Sequence, residues 1–307
     1  MATKLWLDYA IRAMNPVNKE VTHKIMEQTS LIENIVKPIV AQQGIKADFL
    51  MVGSVAAQTH IEPNCCVDLL VQINTDEEKS RVGDNWIIEQ LVQLKCLVQN
   101  QISSKFPETK FSESQQFSLK SINQDKPFNI NLFFGTKHTN LDKAPGMNTS
   151  PEKISVLNFR NMELVDMNPF QNTLQLNRKD ILVNQNVKPL IRILKTIKNN
   201  ARNPISLTGH EITSIVYSME NYLLEKPNGQ LLFLLLECSL FLKYLEGNQF
   251  LRNNLKSPDN IQFKNKENEL RIQQGIHFLK IELDLLIRNL VLEIDLYTNV
   301  YEHAAKV

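Results

Sequence analysis

The stretch MVGSVAAQTHIEPNCCVDLLVQI, residues 51–73, constrains this chain more than any other part of it. An apolar run ends in a Gly-Ser pair, a short segment follows, and a second run rich in branched residues carries Asp68 near its start. Glycine permits a sharp turn and a close backbone approach that other residues resist. Residues 49–52 therefore read as a short buried strand and residues 67–73 as a second, with Gly53 and Ser54 turning the chain between them.

A turn of this kind suits phosphate chemistry. The Ser54 hydroxyl and the free amides at a helix start can hold phosphate oxygens, and an acid on the adjacent strand can reach a magnesium ion bridging them. Strand side chains alternate, so residues 66 and 68 share a face. Two-metal phosphoryl transfer needs two acids at that spacing and a third from a neighbouring strand. Here Cys66 stands beside Asp68, and the next strand-like run, FNINLFF at 128–134, offers Asn129 and Asn131 but no acid. A thiolate is a soft ligand for hard magnesium, and an amide brings oxygen without charge. Glu62 and Asp125, a few residues ahead of these strands, are the acids placed to make good the loss.

The rest of the chain divides in two. Residues 18–43 carry apolar side chains at helical spacing, with Asn18 as a cap, Gly44 at the end and a kink expected at Pro38. Residues 83–99 repeat that spacing, and 117–121 alternate briefly. Helix, strand, turn, strand, helix, strand, strand is an α/β (α+β) order: a mixed sheet backed by helices. Residues 135–151 read as a loop. Beyond residue 160 strand signals nearly vanish, and helical stripes follow at 187–197, 212–223, 230–245 and 268–297. The expected domains are thus 1–160 and a helical domain, 161–307, with a cleft between them.

The order of these parts resembles the nucleotidyltransferase superfamily, in its branch of cyclic GMP-AMP synthase, the bacterial cyclic-oligonucleotide synthases and oligoadenylate synthase. Gly53 and Ser54 match the family's Gly-Ser, Thr59 its Thr, and Gln58 stands where Gly is usual. Asp68 matches the second acid of the family's Asp-x-Asp, Cys66 replaces the first, and Asn131 stands at the third. VKPLIRILKTIKN at 187–199 resembles the helix whose lysine contacts nucleotide phosphates, placing Lys195 there. ISLTGHEITSIV at 205–216 resembles the following loop and helix, with Glu211 near its start. VDMNPFQNT at 165–173 resembles the entry to the helical half, and SPDN at 257–260 the segment before the last helix. The resemblance implies a nucleotide site built from Gly53, Ser54, Thr59 and Lys195, with Asp68 as the remaining catalytic and metal-binding acid.

Two functions follow from that implication. One is a catalytically reduced protein that binds a partner: an active homologue, a further copy of itself, a nucleotide or RNA. The other is an active enzyme that joins nucleoside triphosphates into cyclic or linear products with Mg²⁺ or Mn²⁺. In either, Cys66, Asp68 and Asn131 are expected on one open face opposite the Gly53–Ser54 turn, with Lys195 facing the same cleft.

Lys188, Arg192, Lys195 and Arg202, with Lys198 nearby, form a basic strip suited to phosphate or RNA backbone, against the plainer reading of a solvated helix face. Aromatic residues are only 7% of the chain, and the strip holds none, so no base-stacking platform accompanies it. Lys plus Arg number 34 and Asp plus Glu 33, a near-neutral balance that argues against a dedicated nonspecific DNA coat and permits a local basic site. His60 lies near Cys65 and Cys66 without a second ligand pair at zinc spacing, and His210 reads as a surface or capping residue. Cys238 sits among leucines as a core residue. Four cysteines without a framework, no signal-peptide core in MATKLWLDYAIRAM and no run long enough to span a bilayer predict a cytoplasmic chain away from membranes.

Overall fold

Helix α2 (Lys19–Gln42) opens the sheet-bearing half. The Asn18 side chain accepts from the Glu20 amide at 3.0 Å and caps its start. Gly44, at φ +66°, takes the left-handed turn that follows its end. The helix passes Pro38 without interruption. The computed structural model describes residues 5–62, 66–74, 84–107, 111–112, 117–120, 129–137, 154–227, 229–259 and 269–304.

Among these residues one sheet contains seven strands: β1 (Lys46–Val52), β2 (Cys66–Asn74), β3 (Phe111–Ser112), β4 (Phe117–Lys120), β5 (Asn129–Lys137), β6 (Ile154–Asn158) and β7 (Glu163–Met167). The path runs β1-β2-β5-β4-β3, and β6 joins the far end of β5 and carries β7. β1 and β2 are antiparallel, while β2 and β5 are parallel, so the sheet is mixed. The short helix α3 (Gly53–Ala56) fills the turn between β1 and β2, and α4 (Asp84–Lys105) follows β2.

One sheet face supplies Val67, Leu69, Val71, Ile130, Leu132 and Phe134 to a core shared with Ile25, Ile32 and Val36 of α2 and Leu91, Leu94 and Val98 of α4. Each such side chain contributes about 1.5–3 kcal/mol when fully buried. The strand alternation then leaves Cys66, Asp68 and Leu70 on the opposite face, where Leu70 joins Val52, Ile154 and Val156 in a small second cluster.

The helical half comprises α5 (Pro169–Leu182), α6 (Val187–Asn200), α7 (Gly209–Ser218), α8 (Asn221–Leu224), α9 (Leu231–Gly247), α10 (Gln249–Asn253) and α11 (Glu269–Ala304). Helix α6 is its centre, with residues 190–195 all buried. Helix α1 (Leu5–Met14) packs on α6 and α11. The chain divides into two compact units: residues 17–173, and residues 1–16 joined with 174–307.

Three local expectations change. Residues 135–137, expected in a loop, belong to β5, which continues through Lys137 by pairing with β6, and residues 138–151 of that expected loop lie outside the described residues. β6 lies between the expected loop and residue 160, where no element was assigned, and β7 lies beyond residue 160, where strand signals nearly vanish. β7 is mostly exposed, so it lacks the apolar run that marks a buried strand. Helices α1 and α5 carried no signal that separated them from their surroundings. Among the described residues no helix is long and apolar enough to cross a membrane.

Candidate nucleotide site

The Gly53–Ser54 turn is closed by its own backbone. The Ala57 amide donates to Gly53 O at 3.0 Å and the Thr59 amide to Ser54 O at 2.8 Å. Gly53 has φ +69°, and a Cβ built on it would lie 2.0 Å from Asp68 Oδ2. Glycine is thus required twice, by the backbone conformation and by the carboxylate pressed against it. Gln58, at the family's usual glycine, also has a positive φ of 59°. A residue with a full side chain thus holds the positive φ at the end of this turn. Thr59 is buried, 2% exposed, and His60 beside it is 7% exposed.

Asp68 stands at the centre. It pairs in register with Val52 on one side and Asn131 on the other. Asn131 Nδ2 donates to Asp68 Oδ1 at 2.7 Å. Cys66, one strand period earlier, is half-buried on the same face, and Asn129 is its register partner. The expected grouping of Cys66, Asp68 and Asn131 around the Gly53 turn is therefore present within this unit. Glu62 lies exposed on the chain leading to β2, while Cys65 and Asp125 fall outside the described residues.

This donor set does not fit two hard divalent cations. Asp68 is its one carboxylate, and Oδ1 already accepts from the neutral Asn131 amide. The Cys66 sulfur is a mismatch in softness. Among the described residues no group of three His, Cys, Asp or Glu side chains is arranged to hold a metal.

In the helical unit, Lys195 is 9% exposed and lies against the start of α7. A Cβ on Gly209 would sit 3.4 Å from its Cε and 3.8 Å from its Nζ. The α7 start carries a reciprocal cap, spelled in the sequence as Thr-x-x-Glu at 208–211. The Glu211 amide donates to Thr208 Oγ1 at 3.1 Å, and the Thr208 amide donates to Glu211 Oε2 at 2.6 Å. Arg271 of α11 donates to both Glu211 oxygens and to Ser206 O. Burial by itself raises the Glu211 carboxyl, but Arg271 and the Thr208 groups together hold it below its ordinary value. Burial lowers Lys198, Glu211 partly offsets this, and Arg271 adds to it.

The basic strip does not form as an open face. Arg192 is 4% exposed, and its Nε donates to Met14 O at 2.7 Å, capping the end of α1. Burial brings its pKa down to about 10 against the pull of Asp180. Lys188 is half-buried, with its amide on Asp180 Oδ1 at 3.0 Å, and Arg202 is exposed. These residues recur at helical spacing, but α6 is enclosed on nearly all sides. His210 lies in the first turn of α7, where Thr208 is the cap. Cys238 is fully buried, which pushes its thiol up to about 12.

No protein-family profile matches the chain. It is 24% identical to the cyclic dinucleotide synthase CdnE of Yersinia aleksiciae over 270 residues, 82% of this chain and 68% of that protein. Its fold is similar to the CdnE c-di-GMP synthase from Capnocytophaga granulosa, with a TM-score of 0.73 and 22% identity over 93% of this chain and 86% of that one. It is also similar to the Elizabethkingia meningoseptica CdnE cyclic dinucleotide synthase solved with GTP and Apcpp, with a TM-score of 0.65 and 13% identity over 90% and 96% of the two chains. The mixed sheet backed by helices, the Gly53–Ser54 turn and the helical half that follows give the chain the fold of these synthases, a nucleotidyltransferase-like α/β half with a helical half.

Proposed function

We propose that this protein binds a nucleoside triphosphate at the Gly53–Ser54 turn beside Asp68, and acts through the bound state with metal-assisted transfer reduced or lost. The observation that carries the reading is the Asn131–Asp68 hydrogen bond at the heart of the site. An amide there supplies a proton donor to the remaining carboxylate and no negative charge to a cation. Loss of such transition-state stabilisation costs several kcal/mol, or a rate factor of about a thousand and more. Thr59 is buried behind the turn and supports its shape. The bound protein would then present its surface to a protein or RNA partner.

The second reading is an active synthase that makes cyclic or linear oligonucleotides with Mg²⁺ or Mn²⁺. It is favoured by the names of the curated relative and the two solved structures given above, all of them synthases.

One experiment separates the readings. The protein is incubated with labelled ATP, GTP, CTP and UTP and either cation, and binding of each nucleotide is titrated in parallel. The binding reading expects saturable nucleotide binding, little product from the wild type, and product from the double variant Cys66→Asp/Asn131→Asp. Product from the wild type that disappears in Asp68→Ala decides for the synthase. Absence of nucleotide binding in both proteins defeats both readings.

A further inference from the structure

Helix α9 is apolar on two faces. Leu235, Cys238, Ser239 and Leu242 are buried, and the helix packs on α11. Its other side exposes Phe233 at 59%, Leu236 at 39%, Leu240 at 56% and Tyr244 at 70%. Steps of three, four and four residues place these four side chains in one stripe along the helix. A helix that is hydrophobic all round belongs to an interior, and here the isolated chain covers only half of it.

We propose that this stripe is the interface of a symmetric dimer, in which α9 crosses the α9 of a second copy antiparallel, about a two-fold axis at Leu240. In such a crossing, residues equally far before and after Leu240 face one another. Phe233 meets Gly247 of the other copy, Leu236 meets Tyr244, and Leu240 meets itself. The pairing is complementary in size. A Cβ added to Gly247 would touch nothing within 4 Å, so an open floor stands where the opposing phenyl ring arrives.

The charges agree with a copy of the same chain as occupant. The stripe itself carries no charged side chain, and a self-meeting face must avoid like charges across the axis. Glu237 at its flank is already paired with Lys226 at 3.0 Å. Lys243, on the other flank, is exposed and can keep its ammonium in solvent at the rim. A formal net charge of +1 leaves little long-range repulsion between copies. The four exposed side chains present on the order of 400 Å² of apolar surface, within the range of functional patches. That is about half of the ~800 Å² each partner contributes to a standard interface, a fair core for a polar rim.

The test uses the full chain in sedimentation equilibrium from about 1 to 100 µM, a range that brackets micromolar association. The expected result is a dimer that gains population with concentration. Leu240→Glu and Leu240→Arg should each be monomeric, because each sets like charges against each other on the axis. Leu240 is exposed, so circular dichroism and Tm should stay at wild-type values. An equimolar mixture of the two variants should restore the dimer, since Glu then meets Arg. A wild type monomeric throughout, a Leu240→Glu variant that still dimerises, or a mixture that stays monomeric overturns the proposal. A different protein partner on this stripe would give the first of these results.

Discussion

At Gly53 two requirements meet on one residue: a left-handed backbone and the Asp68 carboxylate where a side chain would start. Gly53→Ala should therefore cost about 2–3 kcal/mol, combining backbone strain with a steric clash. In an Asp68→Ala background the clash is gone and the cost should fall by about half, which a double-mutant cycle of urea midpoints would measure. Gln58 carries the same kind of backbone without the clash. Gln58→Val, a β-branched residue forced to a positive φ, should lose about 1–2 kcal/mol, whereas Gln58→Gly should be neutral or stabilising. Equal losses from both substitutions would show that the Gln58 side chain, not its conformation, matters. Sequence spacing located these positions, since Gly-Ser before a helical segment is a local signature. It was silent on the bond between Asp68 and Asn131, which joins residues 63 apart in sequence.

Several helices are closed at their ends by particular side chains. Asn18 caps α2, Arg192 caps the end of α1, and Thr208 with Glu211 closes the start of α7. The Glu211 carboxyl, lowered on folding, stabilises the folded chain fully above the ordinary glutamate range, near pH 4.3. That contribution disappears as pH falls through the lowered folded value. Glu211→Gln should cost about 1–2 kcal/mol at neutral pH, since Arg271 loses its charged partner in a pair whose carboxylate is buried and whose guanidinium is partly exposed to screening solvent. The difference from wild type should shrink below about pH 4, as the wild-type carboxyl also becomes neutral. Urea unfolding between pH 3 and 7 checks both, and a pH-independent difference would assign the cost to the cap alone. The cap was legible as Thr-x-x-Glu, whereas Arg271 lies 60 residues away on α11 and became visible only through packing. β6 and β7 were illegible for a related reason: each is five residues long and gains its place from a neighbour, not from its own pattern.

At the scale of the molecule, the first helix belongs with the last. Residues 1–16 join 174–307 as one compact unit, so the chain leaves the helical half, builds the sheet and returns. Both ends of α1 are tied: Glu293 Oε2 accepts from the Trp6 and Leu7 amides at 3.0 and 2.9 Å, and Arg192 takes Met14 O. Deleting residues 1–16 would leave a buried guanidinium and a buried carboxylate without these partners. The helical unit should lose about 3 kcal/mol or more. Hydrogen exchange should report faster opening in α6 and α11 while α2 and α4 keep their protection. Uniform acceleration across both units would show that the two halves unfold together.

By itself the sequence determined the Gly53–Ser54 turn, the shared face of Cys66 and Asp68, the α/β half followed by helices, and the family those features resemble. These are consequences of side-chain alternation, helical period and glycine's backbone freedom, all of which act over a few residues. Only the tertiary structure decided that Asn131 bonds Asp68, that Arg192 is an interior cap and not part of a basic strip, and that Gln58 holds a glycine's conformation. The physical reason is that burial and pairing are settled by segments far apart in the chain, and the strength of a hydrogen bond or an ion pair depends on what surrounds it.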